Sequence, residues 1–161
     1  MNDVNAEGFE SFCRIIQDTL ELFDDLISFE NKKLDAIAAN DVALLDRYMN
    51  DEQAYLLKMR GLDQKREKMQ GQLGATDLTF RELTDRFSGH ERETLVALYE
   101  KLSAKSLELK DSIAATKRYI DLHLNSISSL LEKLEGNAAP YGKNGEKERK
   151  APPARFTPTK A

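Results

Sequence analysis

Hydrophobic residues recur every three or four positions along most of the chain, which is the spacing of an α-helical face. The first such segment runs from about Ala6 to Ala39. Its main stripe is Phe9, Phe12, Ile16, Leu20, Phe23, Ile27, Leu34 and Ile37. A flanking stripe is formed by Leu22, Leu26 and Phe29, so we expect this helix to contact more than one neighbour. The pattern stops at 39–41, where Asn40 or Asp41 can cap a following helix.

The second segment, from about Val42 to Leu73, has a strict heptad of core positions. These positions are Leu45, Tyr48, Glu52, Tyr55, Met59, Leu62, Arg66, Met69 and Leu73. A seven-residue repeat predicts a coiled-coil contact. Two of the positions are polar, Glu52 and Arg66, and either can fix the register against a partner helix. Gly61 lies inside the helix and costs about 1 kcal/mol relative to alanine.

Two helix starts follow in quick succession. Thr79 and Glu82 have the spacing of a capping box and open a short helix, and Ser88 and Glu91 repeat that spacing before a fourth helix. The fourth helix continues to about Glu135 and ends at Gly136. The predicted fold is all-α: an antiparallel hairpin of long helices in a coiled-coil bundle, a short connector helix, a long last helix and a disordered C-terminal tail.

The far half of the fourth helix has two apolar stripes. One is Ile120, Leu124, Ile127, Leu131 and Leu134, and the other is Tyr119, Leu122 and Leu130. Few other helices are available to cover both, so one stripe is expected to bind a partner helix. Packing inside the bundle or a homodimer seam is the alternative.

Composition and charge divide the chain. Its 161 residues suit one domain, and a single cysteine excludes an internal disulfide, which favours a reducing cytoplasm. No run of 18 apolar residues and no basic leader is present, so we expect neither a membrane span nor a signal peptide. Residues 136–161 hold six basic and two acidic side chains, which gives a net charge of +4. Residues 1–135 hold 18 basic and 26 acidic side chains, which gives a net charge of −8. An acidic helical domain at 1–135 disfavours nucleic-acid binding, and 136–161 is predicted to be a flexible basic tail.

Catalytic and metal-binding patterns are missing from the sequence. There is no phosphate loop, HExxH or CxxC motif, and His90 and His123 are 33 residues apart. A phosphotransfer role for His123 is disfavoured because position 126 is Ser rather than a basic residue. Cys13 is interpreted as core packing. The acidic cluster of Asp18, Glu21, Asp24 and Asp25 is interpreted as a solvated face, so no enzyme, cofactor or metal is expected.

Three sequence features together resemble the FlgN family of flagellar type III export chaperones. The first is the hairpin entry at 34–45, LDAIAANDVALL, with an Asn-Asp turn followed by aliphatic residues. The second is the stretch at 52–66, EQAYLLKMRGLDQKR, with an acidic residue, a leucine pair and a later arginine. The third is a long last helix followed by a tail that opens with YGKNG at 141–145.

The resemblance implies a cytoplasmic chaperone with no catalytic step. It would cover the terminal helices of hook-associated proteins of the FlgK and FlgL type and deliver them to the cytoplasmic domain of the FlhA export gate. The client-binding residues are then Tyr119, Ile120, Leu124, Ile127, Leu131 and Leu134. The gate-binding residues are Tyr141, Gly142 and Gly145. A structural coiled-coil protein that self-associates, as a homodimer for example, is the alternative from another class.

Overall fold

A computed structural model describes residues 3–136, with side chains from Asn5 onward. It contains four α-helices: α1 (Asp3–Ala38), α2 (Val42–Gln72), α3 (Phe80–Thr84) and α4 (Gly89–Leu134). No strand is present between residues 3 and 136, so the predicted all-α class is confirmed. The chain divides into two compact units, Met1–Lys117 and Arg118–Ala161. The predicted tail at 136–161 lies outside the described residues except for Gly136, and the proposed division at 135/136 stays a prediction.

The turn between α1 and α2 is built from two adjacent polar residues. Asn40 has φ +56°, a left-handed conformation that asparagine tolerates better than most residues. The Asn40 amide donates to the Ile37 carbonyl and the Asp41 amide to the Ala36 carbonyl, which is a Schellman arrangement. The Asp41 side chain then caps α2 by accepting a hydrogen bond from the Leu44 amide at 3.0 Å. The predicted helix boundary is therefore confirmed, with Asp41 as the capping residue.

All nine heptad positions at 45–73 are buried or half-buried, and Tyr48, Tyr55 and Leu62 pack against α1. The ring of Phe29 in α1 packs against Tyr48 and Tyr55 of α2, with centroid distances of 5.5 and 4.9 Å. The predicted hairpin of long helices is confirmed, and the seam that could have served self-association is covered by α1.

Two polar residues interrupt the α2 seam, and each has a different role. Glu52 accepts a hydrogen bond from Lys33 of α1 at 2.5 Å, so it links the two helices in one register. Arg66 instead bonds within α2, to Asp63 at 3.0 Å and to Gln70 at 2.8 Å. The buried Gln70 donates in turn to the carbonyls of Ala75 and Leu78, so it holds the chain after α2. Only Glu52 acts as the predicted register residue against a partner helix.

The first unit has two clusters of buried apolar side chains. One joins α1, α3 and α4: Phe12, Ile16, Ala75, Leu83, Leu95 and Leu98. The other joins α1, α2 and α4: Leu22, Leu26, Leu62 and Leu109. The prediction that α1 contacts more than one neighbour is confirmed. Its flanking stripe is the more deeply buried one in the second half of α1, since Leu22 and Leu26 are buried while Phe23 and Ile27 are half-buried.

The caps of the later helices match the sequence in part. Thr79 and Glu82 form the predicted capping box, with each side chain bonded to the other residue's backbone amide. The second box, at Ser88 and Glu91, was predicted wrongly, because those side chains make no such pair in the described residues. α4 begins at Gly89, whose φ of +58° turns the chain away from that geometry. Gly136, with φ +67°, follows the end of α4 as predicted.

Candidate functional site

The second unit presents the apolar side chains that the sequence singled out. Within the described residues, those from Leu124 to Gly136 are all exposed. Tyr119 is 36% exposed, Leu131 40%, Ile127 53% and Leu134 73%, while Ile120 is partly covered. The six predicted client-binding residues therefore lie together on one helical segment and are accessible to a partner.

These side chains share one face of α4. Counting about 100° of rotation per residue, seven of the eight apolar positions of the two stripes fall within an arc of about 140°, and Leu122, which is 59% exposed, lies about 60° beyond the Tyr119 edge. We call this the apolar arc; its residues are Tyr119, Ile120, Leu124, Ile127, Leu130, Leu131 and Leu134. Apart from Leu122, the two stripes of the sequence are thus parts of one surface, and Leu130 belongs to it although it was not among the predicted client-binding residues. Plotting the residues by helical angle would have found it.

Carboxylates border the apolar arc on one side. Asp121, Glu132 and Glu135 are exposed and fall at neighbouring helical angles, next to the edge occupied by Leu124. Lys133 borders the opposite edge, beside Leu130. The arrangement resembles the polar rim of a protein interface, which surrounds an apolar centre.

Tyr119 and His123 stack on each other, with Tyr119 at one edge of the arc and His123 inside it. Their ring centroids are 5.1 Å apart and the ring planes differ by 29°. The two residues are one helical turn apart, which is the spacing that lets side chains meet. His123 is half-buried and falls between Leu130 and Leu134 in helical angle.

The structure does not describe the predicted gate-binding residues. Tyr141, Gly142 and Gly145 lie outside the described residues, so the structure places only the client-binding half of the predicted site.

Within the described part of the chain, the structure shows no reactive environment around the other residues that the sequence singled out. Burial, with the nearby carboxylates of Glu91 and Glu10, raises the pKa of Cys13 to about 11, which suppresses the reactive thiolate. The predicted acidic face on α1 is exposed, and Asp24 pairs with Lys105 of α4 at 2.9 Å. Between residues 5 and 136, no three metal-ligating side chains come together. None of the four helices combines the length and apolarity needed to cross a membrane.

Comparison with known proteins identifies the family. A family model described as FlgN protein matches residues 1–149, which is most of the chain. The chain belongs to the FlgN family. No curated protein and no solved structure matches it. The resemblance found in the sequence is confirmed, and membership supports a general role as a chaperone in flagellar export, in a family that is not enzymatic.

The FlgN match also includes part of the chain beyond the described helices. Its range of 1–149 contains the whole apolar arc and the YGKNG segment at 141–145. Both regions singled out in the sequence therefore belong to the part of the chain that is similar to the family.

Proposed function

We propose that this FlgN protein is a cytoplasmic chaperone for hook-associated proteins of the FlgK and FlgL type. Its apolar arc covers their terminal amphipathic helices, prevents premature assembly and holds them for delivery to the FlhA-type export gate. The observation that carries the proposal is the exposed apolar arc of α4 in a member of a chaperone family.

The energetics favour a helical client. Exposed side chains such as Ile127 and Leu131 gain about 25 cal/mol for each Å² of apolar surface removed from water. An amphipathic helix can present its own residues at the same three-and-four spacing, so it fits an arc of this kind. Terminal helices that otherwise form coiled coils with one another have this pattern, and covering them blocks that assembly.

Delivery to the gate is assigned to the tail. An aromatic side chain buries a large area for few rotatable bonds, which makes Tyr141 a suitable anchor on the gate. Gly142 and Gly145 allow a partner's backbone to come close. The family match across these residues supports the assignment.

Self-association is the competing function. The α2 heptad was the main observation in its favour, and that heptad has another explanation. The α2 heptad that favoured a homodimer packs against α1 within one chain. The apolar arc is an exposed surface that a second copy could also bind, so one experiment tests both functions.

The test is calorimetric titration of the full chain with purified hook-associated proteins. We expect tight binding, and a double substitution, Ile127→Ser with Leu131→Ser, should weaken it at least a hundredfold, at about 1.4 kcal/mol per tenfold. The matched control, Asn125→Ser with Ser128→Ala, changes the polar face of the same turns and should leave the affinity unchanged. Binding that survives the double substitution would contradict the proposal. A concentration-dependent dimer dissolved by it, without client binding, would establish self-association instead.

A further inference from the structure

One angular face of α4 contains the buried positions of the first unit, along with Ile113 at 47% exposed, and is mostly exposed in the second. Counting about 100° per residue, the buried positions of α4 lie within about 60° of one another. They are Leu95, Leu98, Leu109 and Thr116. Ile120, Ile127 and Leu134 of the apolar arc fall at the same angles in the register of the helix. The sequence of α4 therefore keeps one packing pattern through both units.

In the first unit, α1 covers this face together with α3 at Leu95 and Leu98 and together with α2 at Leu109. Leu109 packs in a single cluster with Leu22 and Leu26 of α1 and with Leu62 of α2. Lys105, four residues earlier, also pairs with Asp24 of α1 at 2.9 Å. The packing pattern of α4 is thus one that accommodates two neighbouring helices.

The width of the apolar arc leads to the same conclusion. A pairwise coiled coil needs only a narrow seam of a and d positions, whereas a helix packed on a broader core has an apolar face of 100° or more. The arc spans about 140°, from an edge at Tyr119 and Leu130 to an edge at Leu124 and Leu131. A single client helix lying along the centre would leave both edges exposed to water.

We propose that the occupant of the apolar arc is a pair of amphipathic helices from one client chain, packed side by side. They cover the arc as α1 and α2 cover the same face at Leu109 in the first unit. The inference rests on the proposed chaperone function and specifies its client. Charge distinguishes the two helices: the one beside Leu124 meets Asp121, Glu132 and Glu135 and should carry Lys or Arg there. The helix beside Leu130 meets Lys133 and should carry Asp or Glu.

Two leucines provide a matched pair of variants. Leu124 and Leu130 lie on opposite edges of the arc and are almost equally exposed, at 57% and 56%. Because both are on the surface, Leu124→Ser and Leu130→Ser should leave the circular dichroism spectrum of the full chain unchanged. Asn125→Ser, on the polar face, is the control.

The experiment measures the affinity of each full-length variant for two probes: a complete hook-associated protein and a synthetic peptide of its C-terminal helix alone. We expect each leucine variant to bind the complete protein at least tenfold more weakly than the unsubstituted chain. The peptide should bind the unsubstituted chain at least tenfold more weakly than the complete protein does, and only one of the two variants should weaken it further.

Other results overturn the inference in distinguishable ways. If only one edge matters for the complete protein, or the peptide binds as tightly as the complete protein, the occupant is one helix and the chaperone function stands. If the unsubstituted chain binds neither probe, the chaperone function fails as well. If both variants dissolve a dimer of the chain alone, the second occupant is another copy and not a client helix.

Discussion

Lys33 lies between two carboxylates in the interface of α1 and α2. Its ammonium group is 3.2 Å from Glu30 and 2.5 Å from Glu52, and only 8% of the residue is exposed. The second carboxylate oxygen of Glu30 is buried and has no hydrogen-bond partner. A buried charge is tolerated only when it is paired, so the lysine makes both carboxylates acceptable in this position.

Removing the lysine charge should therefore destabilise the hairpin. We expect Lys33→Met to lower the free energy of unfolding by about 3 kcal/mol, because it leaves two carboxylates without their counter-charge. The measurement is urea denaturation followed by circular dichroism at pH 7. Lys32→Met, at the exposed neighbouring position, is the control and should change stability by no more than about 0.5 kcal/mol. Equal stability of the two variants would show that the cluster contributes nothing.

The Thr79–Glu82 capping box makes a second prediction at this scale. Hydrogen bonds from the backbone and side chain of Thr79 favour the charged carboxylate and lower the pKa of Glu82 below its ordinary value of 4.5. The stabilisation is therefore complete above pH 4.5 and is lost as the pH falls through the lowered pKa. An NMR titration of the Glu82 carboxyl should show the low pKa in the wild-type chain and only a partial rise of that pKa toward 4.5 in Thr79→Ala, which removes the hydroxyl donor but keeps the backbone donor. Thr76→Ala is the control and should leave the pKa of Glu82 low. If the pKa of Glu82 rises in Thr76→Ala as well, the capping box is not the cause of its low value.

At the scale of the helix, two glycines test backbone propensity against packing. A Cβ at Gly61 in α2 would have no neighbour within 4 Å, whereas one at Gly8 in α1 would lie 3.2 Å from a methyl group of Leu73. We expect Gly61→Ala to stabilise the protein by about 1 kcal/mol through helix propensity alone. Gly8→Ala should stabilise the protein less, because the close contact between the new Cβ and Leu73 offsets part of the gain in helix propensity. Thermal unfolding of both variants makes the comparison, and a larger gain at Gly8 would contradict it.

The helices themselves were well predicted because their determinants are local. The heptad of α2, the Asp41 cap and the Gly136 stop each depend on residues within a turn or two of one another. The burial ranking within α1 was not predicted, since it depends on where α2 and α4 lie. Lys33 was missed for the same reason: its partner Glu52 is 19 residues away, beyond any helical spacing. The Ser88–Glu91 box failed because a spacing does not reveal that Gly89 adopts a positive φ.

At the scale of the whole molecule, the candidate site could be predicted in part. Periodicity alone identified the residues of the apolar arc, because the spacing of apolar residues defines a helical face whether or not another helix covers it. Periodicity could not show that this face is exposed, because the spacing of apolar residues does not say whether another helix covers them. The client, likewise, is not encoded in the spacing of leucines, so it enters through the family and through the width of the arc.

The last prediction concerns the proposal that the apolar arc binds the client and the tail binds the export gate. If Tyr141 anchors the gate and the apolar arc binds clients, Tyr141→Ala should weaken binding to the FlhA-type cytoplasmic domain about thirtyfold, or about 2 kcal/mol, without changing client affinity. The two affinities are measured separately by calorimetry on the full chain. Phe156→Ala, which removes the other aromatic residue of the tail, is the matched control and should preserve both. Loss of both affinities in Tyr141→Ala would make the tyrosine structural, and loss of neither would remove it from the gate site. A loss confined to the gate means that one chain carries two separable binding surfaces, as delivery of a bound client requires.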